Sequence, residues 1–129
     1  MTTVVAAIIE RGGRILICQR KAGGHYAGKW EFPGGKVEPG EELRAALARE
    51  LAEELDIRAS IGEEVARYQY TYPGRPAIEL VFYRVAEFEG EPVNRIFEQI
   101  RWEPLDALPS YDFLDGDVAF VKGLAGGIV

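Results

Sequence analysis

Between Glu41 and Leu55 the chain runs fifteen residues without glycine or proline, and leucine recurs at every fourth position: Leu43, Leu47, Leu51 and Leu55. That spacing lines the leucines along one face of an α-helix built from strong helix formers. Pro39-Gly40 marks a turn before it, and Glu41 and Glu42 in the first turn suit the positive end of the helix dipole. The same segment carries Glu50, Glu53 and Glu54 at i, i+3 and i+4, within roughly 100° of one another and beside the leucines. The glutamates are therefore expected at the rim of the core. Like charges so placed repel by a few tenths of a kcal/mol per pair, so the pattern suits either a solvated face or a cation site. Hard divalent ions such as Mg²⁺ take oxygen ligands, bridge phosphates and stabilise charge developing in phosphoryl transfer.

The flanking segments supply strands. Residues 2–9 are rich in β-branched side chains, Gly12-Gly13 signals a hairpin, and residues 14–19 read as the returning strand. A polar, Gly-rich loop over residues 21–29 leads to a short strand, Trp30-Glu31-Phe32, ending at Pro33-Gly34-Gly35. Residues 57–72 and 76–87 alternate as two long strands joined at Pro73-Gly74-Arg75. A loop over 88–98, a short strand over 100–102 and a helix over 114–124 complete the reading. The order of elements predicts one domain over residues 1–129, a mixed sheet flanked by helices, of the α/β or α+β class.

Composition narrows the chemistry. The net charge of −6 argues against a nucleic-acid polymer as partner, since counterion release needs a basic face. A small polyanion remains compatible, with metal ions and a few arginines offsetting repulsion. His25 is the single histidine, which excludes multi-histidine zinc sites and disfavours a Ser-His-Asp triad. Cys18 is the single cysteine, so no internal disulfide forms, and a reducing cytoplasm fits. No apolar run approaches the ~20 residues that span a bilayer, and the N-terminus lacks a signal peptide's basic segment. A cytoplasmic protein without a membrane partner is expected, as monomer or homodimer.

The segment Gly34-Gly35-Lys36-Val37-Glu38-Pro39-Gly40-Glu41, then Arg49-Glu50-Leu51-Ala52-Glu53-Glu54, has a fixed spacing: Gly35, Glu41, Arg49, Glu50, Leu51, Glu53, Glu54 and Ile57. A chance match is on the order of 10⁻⁷ per starting point. It resembles the Nudix box, here residues 35–57, and almost the whole chain resembles the MutT-like branch of that hydrolase family. Residues 30–36 (WEFPGGK) look like the strand leading into the box, and residues 70–75 (YTYPGR) like a turn after it. One position departs: the family usually has glycine where this chain has Asp56. Asp is among the few residues that tolerate a left-handed helix end, at about 1 kcal/mol.

The resemblance implies an α/β/α sandwich around a mixed sheet and attack by water on a phosphorus of a nucleoside diphosphate linked to a further group. For a triphosphate the products would be a monophosphate and pyrophosphate, as in nucleotide-pool sanitisation linked to DNA repair. By resemblance Glu53 and Glu54 are the main Mg²⁺ carboxylates (Mn²⁺ the substitute), Glu50 completes the cluster, and the Gly34 carbonyl is a further ligand. Arg49 orients the glutamates by charge-assisted hydrogen bonds and counts with them as catalytic. Glu98 is the candidate for the family's additional acidic group, base or ligand, with a plain surface glutamate as the alternative.

Expected substrate contacts are Arg20 to phosphate, His25, Glu31, Phe32, Pro33, Gly34, Tyr72, Arg75 and Asp117; Trp30 is read as core. Tyr72 either stacks on the base or packs in the core. Asp117 either faces the nucleobase or caps a helix. If ionised and facing the base it only accepts hydrogen bonds, which favours CTP or dCTP over 8-oxo-dGTP, and protonation by burial would reverse that. Alternatives are a Nudix hydrolase for ADP-ribose or a dinucleoside polyphosphate, or a non-catalytic nucleotide sensor. Sensors usually lose box glutamates, and this chain keeps them all.

Overall fold

The computed structural model describes residues 1–127. The chain forms β1 (Thr2–Arg11), β2 (Arg14–Gln19), β3 (Trp30–Glu31), β4 (Gly34–Lys36), α1 (Leu43–Leu55), β5 (Arg58–Ser60), β6 (Glu64–Tyr70), β7 (Ile78–Val85), β8 (Glu87–Glu89), β9 (Gln99–Pro104) and α2 (Asp115–Ala125), with a 3₁₀ turn at Leu105–Ser110 before α2. Seven strands make one mixed sheet in the order β3-β2-β1-β7-β6, with β4 pairing β1 and β9 pairing β2. The β1–β7 pair is parallel, in register from Thr2↔Ile78 to Ile9↔Val85. The other pairings are antiparallel.

β1 explains the layering. Its side chains alternate between the two faces of the sheet. Val5, Ala7 and Ile9 join Leu47, Leu51, Leu55 and Ile57 under α1. Ala6 and Ile8 point the other way and join Phe82, Phe113, Phe120 and Leu124 under α2. Two apolar cores, one per face, give the expected α/β/α sandwich. Leu47, Leu51 and Leu55 are fully buried, and each such side chain contributes about 2 kcal/mol through area removed from water. That anchorage fixes the rotation of α1 and so decides where its glutamates point.

The structure corrects several local expectations. α1 begins at Leu43, not Glu41, and its first turn holds no acidic residue. Glu42 is instead the N-cap, accepting from Arg44 N and Ala45 N, both at 3.3 Å. Its carboxylate thereby satisfies two amides that the helix leaves open. The long strand expected over 57–72 is broken: β5 leaves it to pair with β8, inside the segment read as loop. The break lies at Gly62, whose N–H donates to Arg84 O at 2.8 Å and whose Cα approaches that carbonyl more closely than a Cβ would allow. Among the described residues no helix is long and apolar enough to cross a membrane. Cys18 is buried in the α1-side core.

Candidate active site

The carboxylates of α1 gather around Arg49. Its Nε and Nη2 donate to the two oxygens of Glu41 at 2.8 and 3.0 Å, its Nη1 donates to Glu50 at 2.9 Å, and Glu53 lies 3.5 Å from Nη1. Nη2 also reaches Lys36 O at 3.3 Å. The planar guanidinium fork suits this bidentate use. Glu41 lies outside the helix and turns back onto Arg49, whose hydrogen bonds hold it low, to about 2. The Glu41–Arg49 clamp thus ties α1 to the turn after β4.

Two glycines let the helix meet the sheet. A Cβ on Gly34 would collide with the Val5 carbonyl of β1, and the Gly34 N–H donates to Glu54 Oε1 at 3.2 Å. A Cβ on Gly35 would stand 2.6 Å from the Glu50 carboxyl carbon. The Glu50 carboxylate therefore occupies the volume where another residue would have its side chain. Glu54 is buried, with 7% exposure, while the Glu53 side chain is 60% exposed. Burial first, then a hydrogen bond with Glu50 and that group's charge, push Glu54 well above the usual carboxylate range.

The donor set fits a hard divalent cation: clustered carboxylates beside a backbone turn, without histidine or thiol. Glu50, Glu53 and Glu54, with the Gly34 carbonyl, are the groups that would hold it. Among the described residues no three acidic, His or Cys side chains are already gathered closely enough to do so. The reason is visible in the ion pairs, since Glu50 and Glu53 are turned toward Arg49. Glu53, whose carboxylate faces Arg49, must turn toward Glu54 for the set to converge.

Glu54 lines the floor of a cleft of about 590 Å³ that also takes in Gly34, Arg20, Glu31, Tyr72 and Asp117. Of the expected contacts His25, Phe32 and Arg75 line it as well, whereas Pro33 and Glu98 do not. Pro33 is buried and its carbonyl accepts from Ala7 N at 2.8 Å, so it serves the strand geometry. Glu98 is exposed on the loop between β8 and β9, its N–H bonded to Gln19 O at 2.8 Å; its neighbours Ile96 and Phe97 reach the cleft. Arg20 lies in the cleft, with Nη1 donating to both Glu31 oxygens at 3.0 and 3.1 Å and Nε to His25 O at 2.9 Å. Trp30 is core, packed edge-on against Tyr111 at 4.8 Å.

Asp117 does not cap a helix. The N-cap position of α2 belongs to Leu114, without a side-chain cap, and Asp117 faces the cleft from the first turn with 7% exposure. Burial, and then the charge of Glu31, push it up to about 8 against the opposing pull of Arg20. Near neutrality the carboxyl is protonated, so it donates as well as accepts, and the acceptor-only preference for cytosine is withdrawn. Beside it, the Tyr72 hydroxyl accepts from Gly116 N at 2.8 Å. Tyr72 thus belongs to the cleft wall rather than to either core.

Among the cleft residues that sequence reading passed over are Lys36 and Tyr26. Lys36 adjoins the box glycines and could have been found from that position. Tyr26 carried no signal, because its backbone conformation, at φ 57°, is rare for tyrosine.

Comparisons with known proteins give the family and the fold. The family model described as the NUDIX domain matches residues 1–122. The CTP pyrophosphohydrolase of Escherichia coli is 46% identical over 123 residues, covering 95% of this chain and 90% of that protein. The 8-oxo-dGTP diphosphatase of Haemophilus influenzae is 41% identical, covering 94% of this chain and 89% of its own length. Among solved structures, the E. coli ORF135 protein superposes with a TM-score of 0.87 at 42% identity, covering 98% of this chain and 89% of that one. A MutT NUDIX hydrolase from Burkholderia pseudomallei gives 0.82 at 29% identity, covering 93% and 95%.

Proposed function

This chain belongs to the NUDIX domain family of hydrolases, and on that premise we propose that it hydrolyses a nucleoside triphosphate to the monophosphate and pyrophosphate with Mg²⁺, or Mn²⁺ in its place. The observation that carries the reading is the Arg49-clamped carboxylate group of α1, set against Gly35, with Glu54 on the same helix face lining the cleft beside Gly34 and Gly35. A bound divalent cation would supply phosphate charge neutralisation and a more acidic attacking water.

The chain's own residues do the rest. Arg49 fixes Glu50 and Glu53 at the helix rim and keeps their mutual repulsion tolerable. The Gly34 N–H holds the Glu54 carboxyl in place. Glu98 is the candidate base; it adjoins Phe97, which lines the cleft, and the loop must bring its exposed side chain inward. Arg20, Lys36 and Arg75 bring positive charge to a cleft in a chain of net charge −6, which favours a polyphosphate there. Arg20 also holds Glu31 and the 21–28 loop. His25 backs Arg75, whose Nη2 lies 3.1 Å from His25 Nδ1.

At the base end a neutral Asp117 offers one donor and one acceptor. Cytosine presents N3 as acceptor and its amino group as donor; guanine and its 8-oxo form present O6 as acceptor and N1–H as donor. Both edges match; we rank CTP and dCTP first, a choice supported by similarity to a CTP pyrophosphohydrolase, with 8-oxo-dGTP second. Phe32 and Tyr72 provide apolar surface. The test is product identification on a panel of CTP, dCTP, 8-oxo-dGTP, dATP and ADP-ribose with Mg²⁺. Pyrophosphate and CMP from CTP are expected; binding without turnover on every member would mean a sensor instead.

A further inference from the structure

We infer that Tyr26 is a further substrate-binding residue, whose ring forms with Tyr72 an aromatic platform that stacks on the substrate's nucleobase. This deepens the nucleotide reading above and rests on it.

The geometry begins with Tyr72, whose hydroxyl accepts from Gly116 N, one residue from Asp117. Tyr72 therefore marks the end of the cleft where the base edge would be read. The Tyr26 ring lies 5.0 Å from the Tyr72 ring, tilted by 40°, and Tyr72 in turn meets Tyr70 edge-on at 4.8 Å. The Arg75 guanidinium covers the Tyr26 ring at 5.8 Å. Tyr26, Tyr72 and Arg75 thus stand together on the cleft lining, with Tyr70 buttressing Tyr72 from outside it. Aromatic faces bind any base, because every base has a π-face, and they complement the edge contacts of Asp117.

Tyr26 also bears a cost that packing does not explain. Its φ of 57° is left-handed, a conformation that disfavours a residue with a Cβ. Its ring is not a core element, being 38% exposed. Strain of this kind persists where the side chain is needed. The loop is held from below, with Gly28 N donating to Arg20 O at 3.1 Å and Lys29 N to Tyr26 O at 3.2 Å. Above, a Cβ at Gly23, Gly24 or Gly28 would meet nothing within 4 Å.

The test uses the full chain with Tyr26→Phe, Tyr26→Ala and Tyr26→Gly. Glycine is the decisive variant, because it relieves the backbone strain while removing the ring. Readouts are the Kd of a CTP analogue with a methylene between the α and β phosphates, the KM for CTP, the Kd of pyrophosphate as a ligand without a base, and the melting temperature. Tyr26→Phe should keep the parental Kd. Tyr26→Ala and Tyr26→Gly should each raise the analogue's Kd and the KM roughly tenfold, leave pyrophosphate binding and kcat unchanged, and Tyr26→Gly should melt no lower than the parent. Parental analogue affinity in both ring-less variants overturns the proposal, as does an equal loss for pyrophosphate. A parent that binds the analogue but hydrolyses no nucleotide removes the hydrolase reading, while the Kd comparison still decides the stacking.

Discussion

Replacing Gly35 by alanine tests the seat of Glu50 without touching a charged group. The new Cβ would stand 2.6 Å from the Glu50 carboxyl carbon and 2.7 and 2.8 Å from its oxygens, where ordinary contact begins at 3.4 Å. The carboxylate must therefore withdraw by about 0.8 Å, since packed interiors leave no slack for overlap. The obstacle is the end of a flexible side chain, and Gly35 is not in a positive-φ conformation, so alanine itself is unstrained. Retreat of Glu50 disturbs its 2.9 Å bond to Arg49 Nη1 and its contact with Glu54. A displacement near 1 Å in a catalytic group costs on the order of 10²-fold in rate. Gly35→Ala should thus lose about that factor in kcat for pyrophosphate release from CTP, with circular dichroism and melting temperature close to the parent. Gly34→Ala is the contrast: there the clash is with the β1 backbone, and the fold itself should be destabilised. Full activity in Gly35→Ala would refute the claim that the glycine exists to seat Glu50, and unfolding would refute the claim that the side chain gives way.

Three further outcomes are expected. Glu53→Gln and Glu54→Gln should each lower kcat by at least about 10³ while leaving the fold nearly unchanged, because each removes a metal ligand and no core contact; circular dichroism and steady-state kinetics check both. Asp117 sits at about 8 in the fold against an ordinary 3.8, so its folded-state value is raised. The stability it lends is complete below the ordinary value and is lost as pH climbs through the folded one. Asp117→Asn, neutral throughout, should therefore gain on the parent in melting temperature between pH 4 and pH 8, and a constant difference would contradict the burial argument. Asp56→Gly relieves a left-handed residue at φ 57°, a gain of about 1 kcal/mol, and loses an exposed 3.1 Å pair with Arg95 worth about 0–1 kcal/mol. A small rise in melting temperature is expected, and a fall of several degrees would show that Arg95 needs the pair.

How much could be read from the residues alone divides along physical lines. The leucine period fixed the buried face of α1, and the Leu114–Leu124 helix and the β1–β2 hairpin were read within a residue or two, because local periodicity and turn chemistry specify them. The left-handed Asp56 was also legible, since few residues tolerate that conformation. The β5–β8 pair was not: three-residue strands draw their stability from partners distant in sequence, and Gly62 reads as a strand residue until Arg84 is seen beside it. The box spacing located the glutamates but not their arrangement. Arg49 grips Glu41 across eight positions, and Glu41 lies outside the helix, a contact that depends on how the turn after β4 folds back. Likewise Asp117 could be placed near a helix start, but whether it capped or faced a cleft depended on burial that only the packed chain defines.

The central claim is that Glu50, Glu53 and Glu54 share one face of α1 because divalent cations make that concentration of charge favourable. Titrating Mg²⁺ and Mn²⁺ into the purified protein by calorimetry, with melting temperature followed in parallel, tests it most directly. Saturable binding is expected, with a rise in melting temperature that weakens sharply in Glu54→Gln. Absence of heat and of any thermal shift, with Glu54→Gln indistinguishable from the parent, would contradict it.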